Sequence, residues 1–205
     1  MNNRPRTGKT RINRESTGPR IDQAPTSGSG GEGPLERLTA FHADMRAATA
    51  ALTELFDGAT RGRFDQGEAK RLDVFFRGPL LWHDEDEEVG LLPRLRRVAV
   101  KDSERAIIDA TSRGHDRMEE LLEHLGPLLS ALAAGAGSPP ELAAGAAEAR
   151  ALRTLLEGHM RLEEESLFPL AAQQLTHAEL DDLGREMEAR HGGDEKARPR
   201  RAVEL

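Results

Sequence analysis

Two stretches of this 205-residue chain repeat one pattern, HDEDEEVGLLP at residues 83–93 and HMRLEEESLFP at residues 159–169. In both copies a Glu-Glu pair begins four residues after a His. Two variable residues follow the pair, and then come Leu, Leu or Phe, and Pro. Residues i and i+4 lie on the same face of an α-helix. The repeat therefore predicts two helices that each present a His and a Glu on one face.

The sequence around the repeat is helical in pattern. From Leu35 to Leu55, apolar residues recur at spacings of three and four, which is typical of an amphipathic helix. Similar patterns predict three more long helices and a shorter fifth; the five cover residues 34–58, 66–89 with a kink at Gly78-Pro79, 103–134, 138–174 and 176–190. Short loops between long helices predict an all-α fold, an up-down-up-down four-helix bundle with a short extra C-terminal helix.

The composition limits the chemistry that this fold can carry. The chain has no Cys and no Tyr, so thiol catalysis, disulfides and cysteine-held metals are excluded. Any metal site must be built from His and carboxylates. No apolar run is long enough to span a membrane, and no apolar segment follows the basic N-terminus, so we expect a cytoplasmic protein.

The charge is distributed unevenly along the chain. Residues 1–34 have no apolar periodicity and contain a Ser/Gly stretch, which predicts a disordered basic N-terminal tail. The bundle is predicted at 35–175, and 176–205 are predicted to form the short helix and a polar tail. The overall net charge is −7, and since six basic and three acidic groups lie in 1–34, the remainder carries −10. Such an acidic body argues against nucleic-acid binding.

Each of the four long helices also carries one His at a comparable height. His42 lies in the first helix and His115 in the third, where a further His-x-x-x-Glu pair ends at Glu119. At 1.5 Å per residue, all four His lie about 12–18 Å from the same end of an up-down-up-down bundle. Burying an unpaired carboxylate is costly, so His and Glu at one level inside a bundle indicate metal ligands.

On these motifs the chain resembles the hemerythrin-like, or HHE cation-binding, domain family over about residues 35–175. The family is a four-helix bundle that holds a non-haem di-iron centre. The resemblance implies two iron ions with an oxo or hydroxo bridge, and these ligands: His42, His83, His115, Glu119 and His159 as terminal ligands, with Glu87 and Glu163 as bridging carboxylates.

One residue departs from the family's oxygen carriers. Glu119 lies where those proteins have another His, which argues against simple reversible oxygen carriage. Two six-coordinate irons have 12 coordination positions. The five terminal ligands fill five of them, the two bridging carboxylates fill four, and the oxo or hydroxo bridge fills two, so one position stays open. An open position is what a metal needs to bind a small molecule.

Two functional hypotheses stay open on the sequence alone. The first is a di-iron protein that binds or reacts with O2, peroxide or nitric oxide, as an oxidoreductase if it is an enzyme. The second is an iron- or oxygen-responsive sensor that acts through a protein partner. A ferritin-like store needs Glu-x-x-His, and no Glu lies three residues before any of the four His. A metal-free bundle would not explain the buried Glu of the repeat.

Several neighbouring polar residues receive other predictions. The second Glu of each copy, Glu88 and Glu164, points about 100° away from the first, so it either supports the ligands or faces solvent. We expect Asp84 and Asp86 to be solvated. The remaining histidines, outside the predicted ligand set, are His124, His177 and His191.

Overall fold

The structure is a computed structural model, and it describes residues 33–192. The two predicted tails therefore lie largely outside the described residues. Within this range the chain is helical and contains no strand. The α-helices are α1 Pro34–Ala59, α2 Gln66–Arg77, α3 Pro79–Glu85, α4 Leu92–Val98, α5 Asp102–Ala133, α6 Pro139–Leu162, α7 Phe168–Gln174 and α8 His177–Gly192.

Two short π-helical segments interrupt this series. The first π segment, Asp86–Leu91, joins α3 to α4, and the second π segment, Glu163–Leu167, joins α6 to α7. The fold therefore has four arms: α1, then α2 to α4, then α5, then α6 and α7. Each arm packs against its two neighbours in a ring, so the predicted all-α four-helix bundle is confirmed. The predicted C-terminal helix is α8.

Polar side chains cap the starts of two helices. The Asp65 carboxylate accepts hydrogen bonds from the backbone N–H groups at the start of α2. Ser138 and Glu141 form a reciprocal capping box at the start of α6. The second arm breaks at Gly78, as predicted, but it continues to Val98 instead of ending near residue 89. The π segment lies within the first copy of the repeat and leads directly into α4, a continuation that the sequence pattern did not indicate.

The apolar core is divided into two clusters. One contains Met45, Leu72, Leu125 and Leu152 with their neighbours, and all four side chains are at most 1% exposed. The other lies toward α4, α7 and α8 and includes Leu91 and its neighbours. The repeated His and Glu residues fall between these clusters along each arm, so they form a polar layer across the bundle.

Two glycines in α6 allow a direct test of the packing. A Cβ at buried Gly145 would overlap the ring of Phe56, which is itself fully buried. A Cβ at exposed Gly158 would meet no atom within 4 Å. Gly145→Ala should therefore lower the free energy of unfolding by about 1–3 kcal/mol through overpacking. Gly158→Ala should raise it by up to about 1 kcal/mol, as Ala normally does in a helix.

Chemical unfolding of both variants under identical metal-free conditions checks this prediction. Equal stabilisation by the two substitutions would show that α6 does not approach α1 as closely as the structure indicates.

Candidate metal centre

Six polar side chains from all four arms meet in the layer between the two apolar clusters. Each is at most 7% exposed, and together they are His42 from α1, His83 and Glu87 from the second arm, His115 from α5, and His159 and Glu163 from the fourth arm. The sequence predicted all six as one site, and the structure brings all six together.

Glu87 faces two imidazoles and Glu163 faces three, in each case from more than one arm. Glu87 Oε1 lies 3.6 Å from His83 Nε2, and Glu87 Oε2 lies 3.4 Å from His115 Nε2. Glu163 Oε1 lies 2.5 Å from His159 Nε2, and Glu163 Oε2 lies 3.2 Å from His42 Nε2. Each carboxylate therefore spans the layer and presents one oxygen to each half of it.

The atoms that face one another have no hydrogen-bond partners. The Nε2 atoms of the four histidines and both oxygens of Glu87 and Glu163 are buried and make no hydrogen bond of acceptable geometry. Buried polar atoms without partners are rare in folded proteins and costly to maintain. Imidazole nitrogens and carboxylate oxygens arranged in this way are a donor set that fits a transition-metal ion.

The donor atoms form two overlapping groups, each compact enough to hold one ion. His42, His83, Glu87 and Glu163 offer atoms within 4.8 Å of one another, and so do Glu87, His115, His159 and Glu163. Because Glu87 and Glu163 belong to both groups, the arrangement suits two neighbouring ions with two shared carboxylates.

The π segments help to place the two shared carboxylates. The N–H of Leu92 donates to the carbonyl of Glu87, and the N–H of Phe168 donates to that of Glu163; both bonds span five residues instead of four. Next in each copy is a Pro, which has no N–H to donate to the carbonyl four residues before it. The widened turn accommodates this loss, and π segments are frequent at functional sites. The Pro that ends each copy of the repeat is the sequence signal from which the π segments could have been predicted.

The second Glu of each copy holds an imidazole from another arm. Glu88 Oε1 lies 2.8 Å from His115 Nδ1, and Glu164 Oε1 lies 2.8 Å from His42 Nδ1. With Nδ1–H donating to the carboxylate, each imidazole keeps the Nε2 lone pair directed into the layer. Arg46 also donates to Glu164 at 2.7 Å. Of the two alternatives that the sequence left open for Glu88 and Glu164, these contacts favour support of the imidazoles over a position facing solvent.

Glu119 does not join the cluster. Its side chain is exposed, while Met118 is fully buried and fills the inward position of that turn. His115 lies near the edge of the inward face of α5, so a regular helical step of four residues carries Glu119 past that edge. Unlike the two Glu of the repeat, Glu119 lies in uninterrupted α-helix. Of the seven residues predicted as ligands, Glu119 is the one that the structure leaves outside the two donor groups.

Two further expectations concern residues near the site. Asp86 was expected to be solvated but is 1% exposed. One oxygen of Asp84 is buried without a hydrogen-bond partner, and burial raises the pKa of this carboxyl group. Among the described residues, His124, His177 and His191 belong to neither donor group, as predicted.

The pKa values of the two shared carboxylates are shifted in opposite directions. Burial raises the pKa of Glu87 well above its usual value, and the charge of Glu163 raises it further. Burial also disfavours ionised Glu163, but His115, His159 and His42 outweigh it and hold the pKa of Glu163 well below its usual value. The metal-free cluster therefore retains protons that must leave when a cation binds, so cation binding weakens as pH falls.

Aromatic rings enclose one half of the layer. Phe41 stacks on His83 with ring centroids 5.1 Å apart, and Phe168 stacks on His42 at 5.6 Å. In the other half, His115 and His159 contact each other edge to face at 4.6 Å. The two groups of donors are thus alike in chemistry but differ in their apolar surroundings.

The family comparison agrees with this geometry. The model of the hemerythrin HHE cation binding domain matches residues 34–171, with a second, overlapping match at residues 106–202. Searches of curated proteins and of solved structures returned no match. Within residues 33–192, none of the helices combines the length and apolar character that crossing a membrane requires. With a buried His/Glu cluster compatible with iron binding, the chain belongs to the hemerythrin HHE cation-binding domain family.

Proposed function

We propose that the layer binds two iron ions, one in each group of donors. The observation that carries this proposal concerns Glu87 and Glu163. Each of these carboxylates directs one oxygen to the first group of donors and its other oxygen to the second group. His42 and His83 would be the terminal ligands of one ion, and His115 and His159 those of the other. The two Glu would bridge the ions, and an oxo or hydroxo group would complete the bridge, as the family resemblance implies.

The ligand set leaves room for a small molecule. With Glu119 outside the cluster, each ion would have two imidazoles and share two carboxylates. More coordination positions therefore stay open than the sequence predicted. When bound, such an iron pair supplies electrons and open positions for binding or reaction with O2, peroxide or nitric oxide.

The chain's own residues would control that chemistry. Glu88 and Glu164 fix the orientation of two imidazoles and make their Nε2 atoms more basic, and therefore better metal ligands. Phe41 and Phe168 exclude water from one side of the layer, which strengthens electrostatic interactions within it. Glu87 would have to release its proton to bridge the ions, so protonation of this carboxylate competes with metal binding.

A second candidate function is an iron- or oxygen-responsive sensor that acts through a protein partner. The observation in its favour is that α8, which lies outside the bundle, packs directly on the first π segment beside Glu87. A cytoplasmic location stays a prediction for both candidates.

Iron loading tests the proposed site. We expect two irons per chain after anaerobic addition of Fe(II), and charge-transfer bands in the visible spectrum that change on exposure to air, peroxide and nitric oxide. Glu87→Gln should abolish binding of at least one iron, because it removes a shared ligand. Glu119→Gln should leave the stoichiometry unchanged, because Glu119 is exposed. Loss of iron in Glu119→Gln with full loading in Glu87→Gln would contradict the proposal.

The orientation of the imidazole by Glu164 gives a separate prediction. Glu164→Gln replaces the charged acceptor of the His42 Nδ1–H with a neutral one. We expect Fe(II) affinity to fall about 10–100-fold, the usual effect of losing a carboxylate behind a metal-bound His. The matched control is Glu165→Gln, which changes the same charge at the next, exposed position.

Competition with a chelator of known affinity measures both variants. Equal affinities for Glu164→Gln and Glu165→Gln would show that the carboxylate does not support a metal ligand.

A further inference from the structure

The C-terminal helix α8 lies directly against the segment that presents Glu87. The first π segment packs on α8, and Leu183 of α8 is fully buried there. A Cβ added at Gly90 would lie 2.6 Å from Leu183 Cδ1, so the helix approaches the backbone of the π segment as closely as glycine allows. Contact of this kind fixes the path of the backbone on both sides.

A buried carboxylate at the start of the π segment connects it to α8. Asp86 immediately precedes Glu87 and is 1% exposed. Arg190 Nε donates to Asp86 Oδ1 at 2.7 Å, and His191 Nε2 lies 2.9 Å from Asp86 Oδ2. Both oxygens of Asp86 therefore face basic side chains of α8.

A second connection lies one turn further along. Arg94 donates to the carbonyl of Gly90 at 2.8 Å and to Glu186 of α8 at 2.7 Å. The π segment is thus connected to α8 near both of its ends. Since a buried Asp needs partners to offset its desolvation, Arg190 and His191 stabilise Asp86 while α8 is docked on this surface.

The two copies of the repeat differ at this position. The residue before Glu163 in the second copy is Leu162, which has no charge to pair with an outside helix. The pairing with α8 is therefore a property of the first copy alone and is not required by the repeat.

We infer that the contacts of Asp86 with Arg190 and His191 form a latch that holds Glu87 in its bridging orientation and couples docking of α8 to occupancy of the metal layer. This inference rests on the proposed metal function and assigns positioning roles to Asp86, Arg190 and His191. Coupling of this kind is reciprocal: if docked α8 favours metal binding, bound metal favours docked α8 to the same extent. The metal state would then be reported at the C-terminal end of the chain.

Amide hydrogen exchange of α8 with and without anaerobic Fe(II) tests the coupling in the wild-type chain. We expect Fe(II) to slow exchange in residues 177–192 by about 5–150-fold, the usual range for coupled sites. Because this comparison needs no variant, it stands even if a substituted chain fails to fold.

A matched pair of variants tests the latch itself. Asp86→Asn removes the charge that faces Arg190 and should lower Fe(II) affinity and abolish the Fe(II) effect on α8. The control is Arg37→Gln, because Arg37 also anchors α8, through Glu188 at 2.8 Å and the Gly184 carbonyl, but lies in α1 and not beside the π segment. Arg37→Gln keeps every contact of Asp86 and should speed exchange by more frequent opening of a helix that stays docked in most molecules. Fe(II) affinity and the response of α8 to Fe(II) should therefore be preserved.

The outcomes separate this inference from the proposed function. If the wild-type chain binds two irons but exchange in α8 does not respond, the latch is refuted and the metal site stands. Equal Fe(II) affinities for Asp86→Asn and Arg37→Gln refute it as well. A wild-type chain that takes up no iron refutes the proposed function, and the inference with it.

Discussion

Two carboxylates buried in the middle of a helical bundle set the constraint on which the rest of this structure depends. Glu87 and Glu163 have no exposed surface, and their oxygens lack hydrogen-bond partners. A desolvated carboxylate is costly unless opposite charge lies close to it. A pair of cations held between the four imidazoles would supply that charge. The need to balance a buried carboxylate explains why a His accompanies the Glu in each copy of the repeat, because the two side chains together can bind a cation.

The surrounding fold is arranged to hold this polar layer in place. Apolar clusters above and below it supply the packing that stabilises the bundle, so the layer itself need not stabilise the fold. The two π segments place the shared carboxylates and accommodate the proline that follows each of them. Glu88 and Glu164 then orient imidazoles from the two arms that lack the repeat. Each copy therefore acts on its own arm and on another.

Much of this arrangement could be predicted from the sequence because it depends on spacing along regular helices. The four arms, the break at Gly78 and the six clustered His and Glu residues all follow from periodicity and from the repeat. Glu119, predicted as a ligand, lies outside the cluster because an i+4 spacing gives the face of a residue relative to its partner but not the rotation of the helix in the bundle. That rotation depends on packing, and here Met118 takes the inward position. The burial of Asp86 was missed because its partners lie about a hundred residues away, on α8.

The central claim is that the layer holds two ions that share Glu87 and Glu163. Anomalous diffraction at the iron edge, from crystals of the iron-loaded chain, tests it most directly. If the layer holds two ions, two peaks should appear about 3.5–4 Å apart, one beside the Nε2 atoms of His42 and His83 and the other beside those of the remaining two histidines. A single peak, or a peak away from the two shared carboxylates, would contradict it.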